Sequence, residues 1–103
     1  MTNNEAEKWA LEETKRITLF ALKGHAIRIW LFGSRATGSA RSFSDIDLAL
    51  DAGADNVPRD LLVRLSSALE ESHIPFRVDI VDMRNVSPAV RESIGKEGQL
   101  WID

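Results

Sequence analysis

Asp45 and Asp47 stand two residues apart in the segment Ser44-Asp45-Ile46-Asp47-Leu48, and Gly33-Ser34 lies upstream with ten residues between Ser34 and Asp45. If residues 45–51 form a strand, this spacing puts both carboxylates on one face, with Cα atoms about 6.6–6.8 Å apart. Aspartate is disfavoured in strands, so two on one face point to a task other than packing. A third acid, Asp79, lies between Val78 and Ile80 in another β-like run. On a neighbouring strand about 4.8 Å away it would project beside the pair. Two ionised carboxylates about 5 Å apart repel by roughly 3 kcal/mol at an effective dielectric near 20. A divalent cation removes that penalty, and oxygen ligands without histidine or cysteine nearby select a hard one, most simply Mg²⁺. Gly33-Ser34 adds the complementary function. Glycine lets the backbone approach a ligand, and serine sets a hydroxyl beside amide N–H groups, a means of holding phosphate. Together these residues imply metal-assisted phosphoryl or nucleotidyl transfer, with Asp79 the candidate to take a proton from an acceptor hydroxyl.

The elements that must position them can be read from periodicity. Residues 5–23 carry Ala6, Trp9, Ala10, Ile17, Phe20 and Ala21 at helical spacing, with Asn3 or Asn4 as cap and Gly24 as stop. Residues 26–32 are β-branched and aromatic and read as a strand ending at Gly33. Residues 33–44 form a polar loop of the length that usually carries function. Residues 45–51 alternate as a second strand, and Gly53 breaks it. Pro58 opens a second helix with Leu61, Leu62, Leu65, Ala68 and Leu69 on one stripe, closed by His73 and Pro75. A third strand over 76–81, a short helix opened by Ser87-Pro88 and running to about Ile94, and a last strand over 100–102 complete the order. The expected fold is one α/β (α+β) domain over residues 1–103, a small mixed sheet with helices packed on one side. Asp82 competes with Asp79 as third acid. Alternation favours Asp79, because Phe76, Val78 and Ile80 share one face and Arg77, Asp79 and Val81 the other.

Composition narrows the class. The chain has 103 residues, 44% of them hydrophobic, which suits one globular domain. No run approaches the roughly 20 apolar residues of a membrane helix. Met1 is followed by Thr2-Asn3-Asn4-Glu5 rather than a basic and apolar leader, so a cytoplasmic protein is expected. The absence of cysteine excludes disulfide scaffolds and thiolate metal sites. Thirteen basic residues against 16 acidic ones, scattered along the chain, argue against direct DNA binding while leaving room for a local phosphate site.

Each signal alone has a plainer reading. Gly33-Ser34 could be a simple turn, and Asp45 with Asp47 the wet face of an edge strand. The conjunction with Asp79 carries the chemistry. Gly33 to Gly38 also has P-loop glycine spacing, but Ser39 and Ala40 stand where lysine and serine or threonine are required. His25 and His73 flank helix ends, where a histidine answers the helix dipole. Trp9 and Trp30 are expected in the core, and Trp101 as an interface anchor. Arg41 is either a second phosphate contact or a solvated loop residue.

Gly33-Ser34-Arg35-Ala36-Thr37-Gly38 with Ser44-Asp45-Ile46-Asp47-Leu48 and the later Asp79 resembles the polymerase-β-type nucleotidyltransferases, and more narrowly the minimal nucleotidyltransferases (MNT) of prokaryotes, over nearly the whole chain. That resemblance implies ATP as nucleotide and Mg²⁺ as cofactor. It implies Gly33 and Ser34 at the triphosphate, Arg35 near phosphate oxygens, Asp45 and Asp47 as metal ligands, and Asp79 on the metal or the acceptor hydroxyl. It further implies a small helical HEPN protein as partner, a toxin whose tyrosine receives AMP from an antitoxin transferase. Two other functions stay open at this point: a stand-alone transferase acting on a small hydroxylated molecule, and an antitoxin or regulator that works by contact alone.

Overall fold

The computed structural model describes residues 3–40 and 44–101, so Arg41 and the end of the expected last strand lie outside the described residues. Apolar runs bounded by glycine and proline form four strands: β1 (Arg28–Phe32), β2 (Ile46–Asp51), β3 (Val78–Asp82) and β4 (Gln99–Trp101). Between and around them lie helices α1 (Asn3–Ala21), α2 (Ser34–Thr37), α3 (Arg59–Glu70) and α4 (Pro88–Glu97), with a 3₁₀ turn over Met83–Asn85. The sheet order is β3-β2-β1-β4. β1 is antiparallel to both β2 and β4, while β2 and β3 run parallel because α3 carries the chain across between them.

Strand alternation divides the interior in two. Ile29 and Leu31 of β1 and Ile46, Leu48 and Leu50 of β2 pack on one face against Ala10 and Leu22 and against Leu61, Leu65 and Leu69 of α3. The leucines recur every four residues, as the sequence reading expects. On the other face Trp30, Phe32, Ala49 and Val81 gather around Met83 and Ile94 of α4. The mixed sheet is therefore as expected, with α1 and α3 together on one side. The smaller α4 lies across the opposite face, which its single buried residue gave no pattern to announce.

α1 buries only part of the expected stripe: Ala10, Ile17 and Ala21 pack on the core, while the two aromatics turn outward. Its fully buried positions are Ala10, Thr14 and Thr18, whereas Trp9 is 38% and Phe20 78% exposed. Thr14 Oγ1 donates to the Ala10 carbonyl at 2.7 Å, so this threonine packs as a β-branched apolar side chain. Small residues let α1 approach the rest of the core closely, and the larger aromatics are turned outward. Trp101, expected at an interface, is instead 8% exposed within the core, opposite Ile29 in the β1–β4 register.

Asp82 has a structural task. Its carboxylate is buried and accepts from Val57 N at 2.8 Å and Arg84 N at 3.0 Å, tying the end of β3 to the approach to α3 and capping the 3₁₀ turn. Asp82→Ala leaves two backbone donors short of an acceptor, one of them buried. It is expected to cost about 1–3 kcal/mol, read as a lowered thermal midpoint. Activity per folded molecule should stay within about threefold of the parent chain, since a two-donor cap has no hand in chemistry.

Candidate nucleotide and metal site

β1 delivers the chain to Gly33 at φ 74 and ψ −156, a backbone conformation open to glycine and strained for other residues. The turn continues as α2, which closes with Gly38 at φ 79 and a Ser39 N to Ser34 O hydrogen bond of 3.0 Å. This short helix falls within the segment read from sequence as loop. Four residues are too few to display a period.

Gly33 meets Asp47 directly. A Cβ added to Gly33 would stand 3.3 Å from Asp47 Cγ and closer still to Oδ2. The backbone turn that begins the polar segment thus lies against the central carboxylate. In the sheet, Asp47 pairs with Phe32 on one side and with Asp79 on the other, so Asp47 and Asp79 are direct cross-strand neighbours. Asp45 stands one residue before β2, and its charge reaches Asp47. Burial first, then the charges of Asp79 and Asp45, push the Asp47 carboxyl above its ordinary value, and the Arg35 cation opposes them.

Asp79 is half-exposed, and its Oδ1 lies 3.0 Å from Nε of Arg77, an open ion pair. Exposed pairs contribute little. Arg77→Ala is expected to change stability by less than about 1 kcal/mol and turnover by less than about threefold, measured by thermal melt and initial rate.

Arg35 behaves differently from the expectation of a phosphate contact. Its side chain is 1% exposed, and all three guanidinium nitrogens are committed within the protein. Nε and one terminal nitrogen donate to the Ser44 carbonyl at 3.1 and 2.6 Å, and the other pairs with Glu7 Oε1 at 3.0 Å. The guanidinium also stacks on Phe76, 4.3 Å from the ring centroid. Glu7 and Phe76 escaped the sequence reading because neither type nor spacing marks a residue that meets its partner only through the fold.

Among the described residues, no three acids or histidines are gathered tightly enough to hold a metal by themselves. The donor set still fits a hard cation of the Mg²⁺ kind, which keeps part of its shell for water and substrate oxygens and takes only one or two carboxylates from protein. Asp47 with raised proton affinity, flanked by two more carboxylates and by a glycine that leaves the approach free of a side chain, is a cluster that a cation would relax.

Against this geometry, the sequence of residues 15–103 matches the family described as polymerase beta, nucleotidyltransferase. The chain belongs to that family. It is 43% identical over 70 residues to Probable protein adenylyltransferase MntA of Haemophilus influenzae, a match covering 66% of this chain and 59% of that relative. A second MntA, from Shewanella oneidensis, is covered to 52% of its length, so the chain spans just over half of the curated relatives it matches. A solved minimal nucleotidyltransferase superposes with a TM-score of 0.69 at 30% identity, over 96% of this chain and 95% of that one. A toxin–antitoxin structure with AMP-PNP gives a TM-score of 0.66 at 26% identity, over 85% and 72% of the two chains. The fold of this polymerase-β-type domain is therefore that of the minimal nucleotidyltransferases. No described helix is long and apolar enough to cross a membrane.

Proposed function

We propose that this domain is a Mg²⁺-dependent protein adenylyltransferase that moves AMP from ATP to a tyrosine hydroxyl of a HEPN-type partner, acting in the cytoplasm as the antitoxin of a toxin–antitoxin pair. The reading is supported most by one observation: the carboxylate of Asp47 lies against the Gly33 backbone and in register with Asp79. Support for the acceptor class comes from a relative described as a protein adenylyltransferase and from a similar toxin–antitoxin structure containing AMP-PNP.

In this reading Gly33 and Ser34 hold the triphosphate, the glycine by letting phosphate oxygens reach backbone N–H groups and the serine through its hydroxyl. Asp45 and Asp47 would hold the cation, with Asp79 beside them. Mg²⁺, when bound, supplies positive charge that offsets the charge developing on the phosphoryl oxygens. Asp79, half-open to solvent, takes the proton of the acceptor hydroxyl as its oxygen bonds to the α-phosphorus. The bond from that phosphorus to the bridging oxygen breaks, and pyrophosphate leaves. Asp79 stands half-open to solvent, which suits an acceptor protein that brings its own surface to the site.

The test is incubation of the chain with a HEPN protein from the same genome, Mg²⁺, and ATP labelled at either the α- or the γ-phosphate. Label on the HEPN protein from the α-position alone, abolished by Asp45→Asn/Asp47→Asn, is the expected result. Label from the γ-position would replace nucleotidyl by phosphoryl transfer. Neutralisation of the toxin by wild type and double variant alike would establish a contact-only antitoxin instead. Label found only on a small hydroxylated molecule would establish a stand-alone transferase.

A further inference from the structure

Arg35 touches each segment that leads into the acidic cluster. The arginine is on α2, two residues after Gly33. Its bifurcated hydrogen bonds end on the carbonyl of Ser44, the residue before Asp45. Its π-face contact is Phe76, two residues before the start of β3 and three before Asp79. Its remaining nitrogen reaches Glu7 on α1, the long helix that underlies the sheet. A planar fork with fixed donor directions holds such a set of partners in one geometry, which a flexible ammonium cannot do.

We propose that Arg35 is a positioning residue that sets the spacing of the Gly33-Ser34 turn, the Asp45–Asp47 strand and the Asp79 strand, and that it does not touch the nucleotide. The inference rests on the nucleotidyl-transfer reading above for its kinetic consequence and on geometry alone for its structural one. Burial alone would account for a stabilising role. The choice of partners adds more, because all three lie at the approaches to the acids or on the helix that braces them. Its charge acts on Asp47 through space, in the sense opposite to the neighbouring carboxylates.

The decisive variants are Arg35→Lys and Glu7→Gln, singly and together. Glu7 meets Arg35 from α1, so removing its charge disturbs the crossbeam without touching any nucleotide. Both single variants are expected to lower kcat, Arg35→Lys by about 30–100-fold, with KM for ATP and AMP-PNP affinity within about threefold, since misplacement of about 1 Å costs about 100-fold in rate. The double variant should lose little beyond Arg35→Lys, the non-additivity of residues that act as one unit. A second readout does not need transfer activity. Mn²⁺ added to the folded chain should broaden the amide resonances of Asp45, Asp47 and Asp79 together, and in Arg35→Lys one or more of the three should leave that set. Thermal melts confirm that each variant is folded. If Arg35→Lys is unfolded, Glu7→Gln alone decides.

An unchanged kcat and an unchanged Mn²⁺ pattern in both variants would overturn the proposal. So would a tenfold or greater loss of AMP-PNP affinity in Arg35→Met while Glu7→Gln behaves as wild type, which would return Arg35 to the role of phosphate ligand. If the wild-type chain transfers no nucleotide to any acceptor, the Mn²⁺ pattern still decides the role of Arg35, and only the proposed function fails.

Discussion

Asp47→Asn is expected to abolish transfer, by about 10³-fold or more, and at the same time to make the metal-free chain more stable. The first effect follows from the loss of a carboxylate that would hold the cation at the transferring phosphate. The second follows from burial and from the charges of Asp79 and Asp45, which hold the Asp47 carboxyl above its ordinary value. A carboxyl whose proton affinity is higher folded than unfolded favours the native state when protonated. The stability it contributes is present at low pH and is lost as pH rises through the window from the unfolded to the raised folded value, leaving a penalty at neutral pH. Asparagine removes that penalty. Partial exposure screens the repulsion, so the gain is about 1 kcal/mol, or about 4–8 °C in thermal midpoint for a chain this size. Mg²⁺ should raise the midpoint of the wild type and leave that of Asp47→Asn nearly unmoved. A variant less stable than wild type in chelator at neutral pH would contradict the argument.

Gly33→Ala is expected to abolish transfer with the opposite stability sign. The backbone at φ 74 and ψ −156 is unfavourable for any side chain, and the new methyl would overlap the Asp47 carboxylate. Backbone strain of about 1–3 kcal/mol adds to the cost of displacing Asp47. A drop in midpoint of at least about 5 °C should accompany lost activity. Gly33→Ala in an Asp47→Ala background should recover part of that stability, because the overlapping carboxylate is gone, although the backbone strain stays. Equal destabilisation in both backgrounds, measured as a double-mutant cycle, would mean that the Gly33–Asp47 approach carries none of the cost. The two substitutions together separate folding from chemistry: one is expected to give a sturdier chain and the other a weaker one, and both an inactive one.

The long features were legible from residues alone. Leu61, Leu65 and Leu69 recur at helical spacing and are the buried face of α3, and period-2 alternation gives Asp47 and Asp79 the same side of adjacent strands. What stayed illegible depends on partners distant in sequence. The polar run after Gly33 contains a single helical turn, too short to show periodicity. The stripe chosen for α1 followed apolarity and selected Trp9 and Phe20, whereas close packing selected Thr14 and Thr18. Arg35 follows a glycine-serine pair and invites a phosphate-binding reading. Its engagement by Glu7, Ser44 and Phe76 exists only once α1, β2 and β3 converge. Asp82, three residues from Asp79, differs from it by an environment of two backbone donors that no local pattern reveals.

The mixed direction of the sheet bears on how the site comes into being. β1 and β2 are joined through residues 33–45 and pair antiparallel, whereas β3 reaches β2 only after the chain has passed through α3 and returned parallel to it. Closing the longer loop costs more chain entropy before its contacts reward it. The Gly33 turn and Asp47 therefore lie within the shorter closed loop, and Asp79 at the far end of the longer one. β3 also ends the sheet on its side, held by one neighbouring strand. Fluctuations that loosen this edge would carry Asp79 away while leaving the Gly33 turn packed on Asp47, so on the proposed reading a nucleotide could be held before it could be transferred.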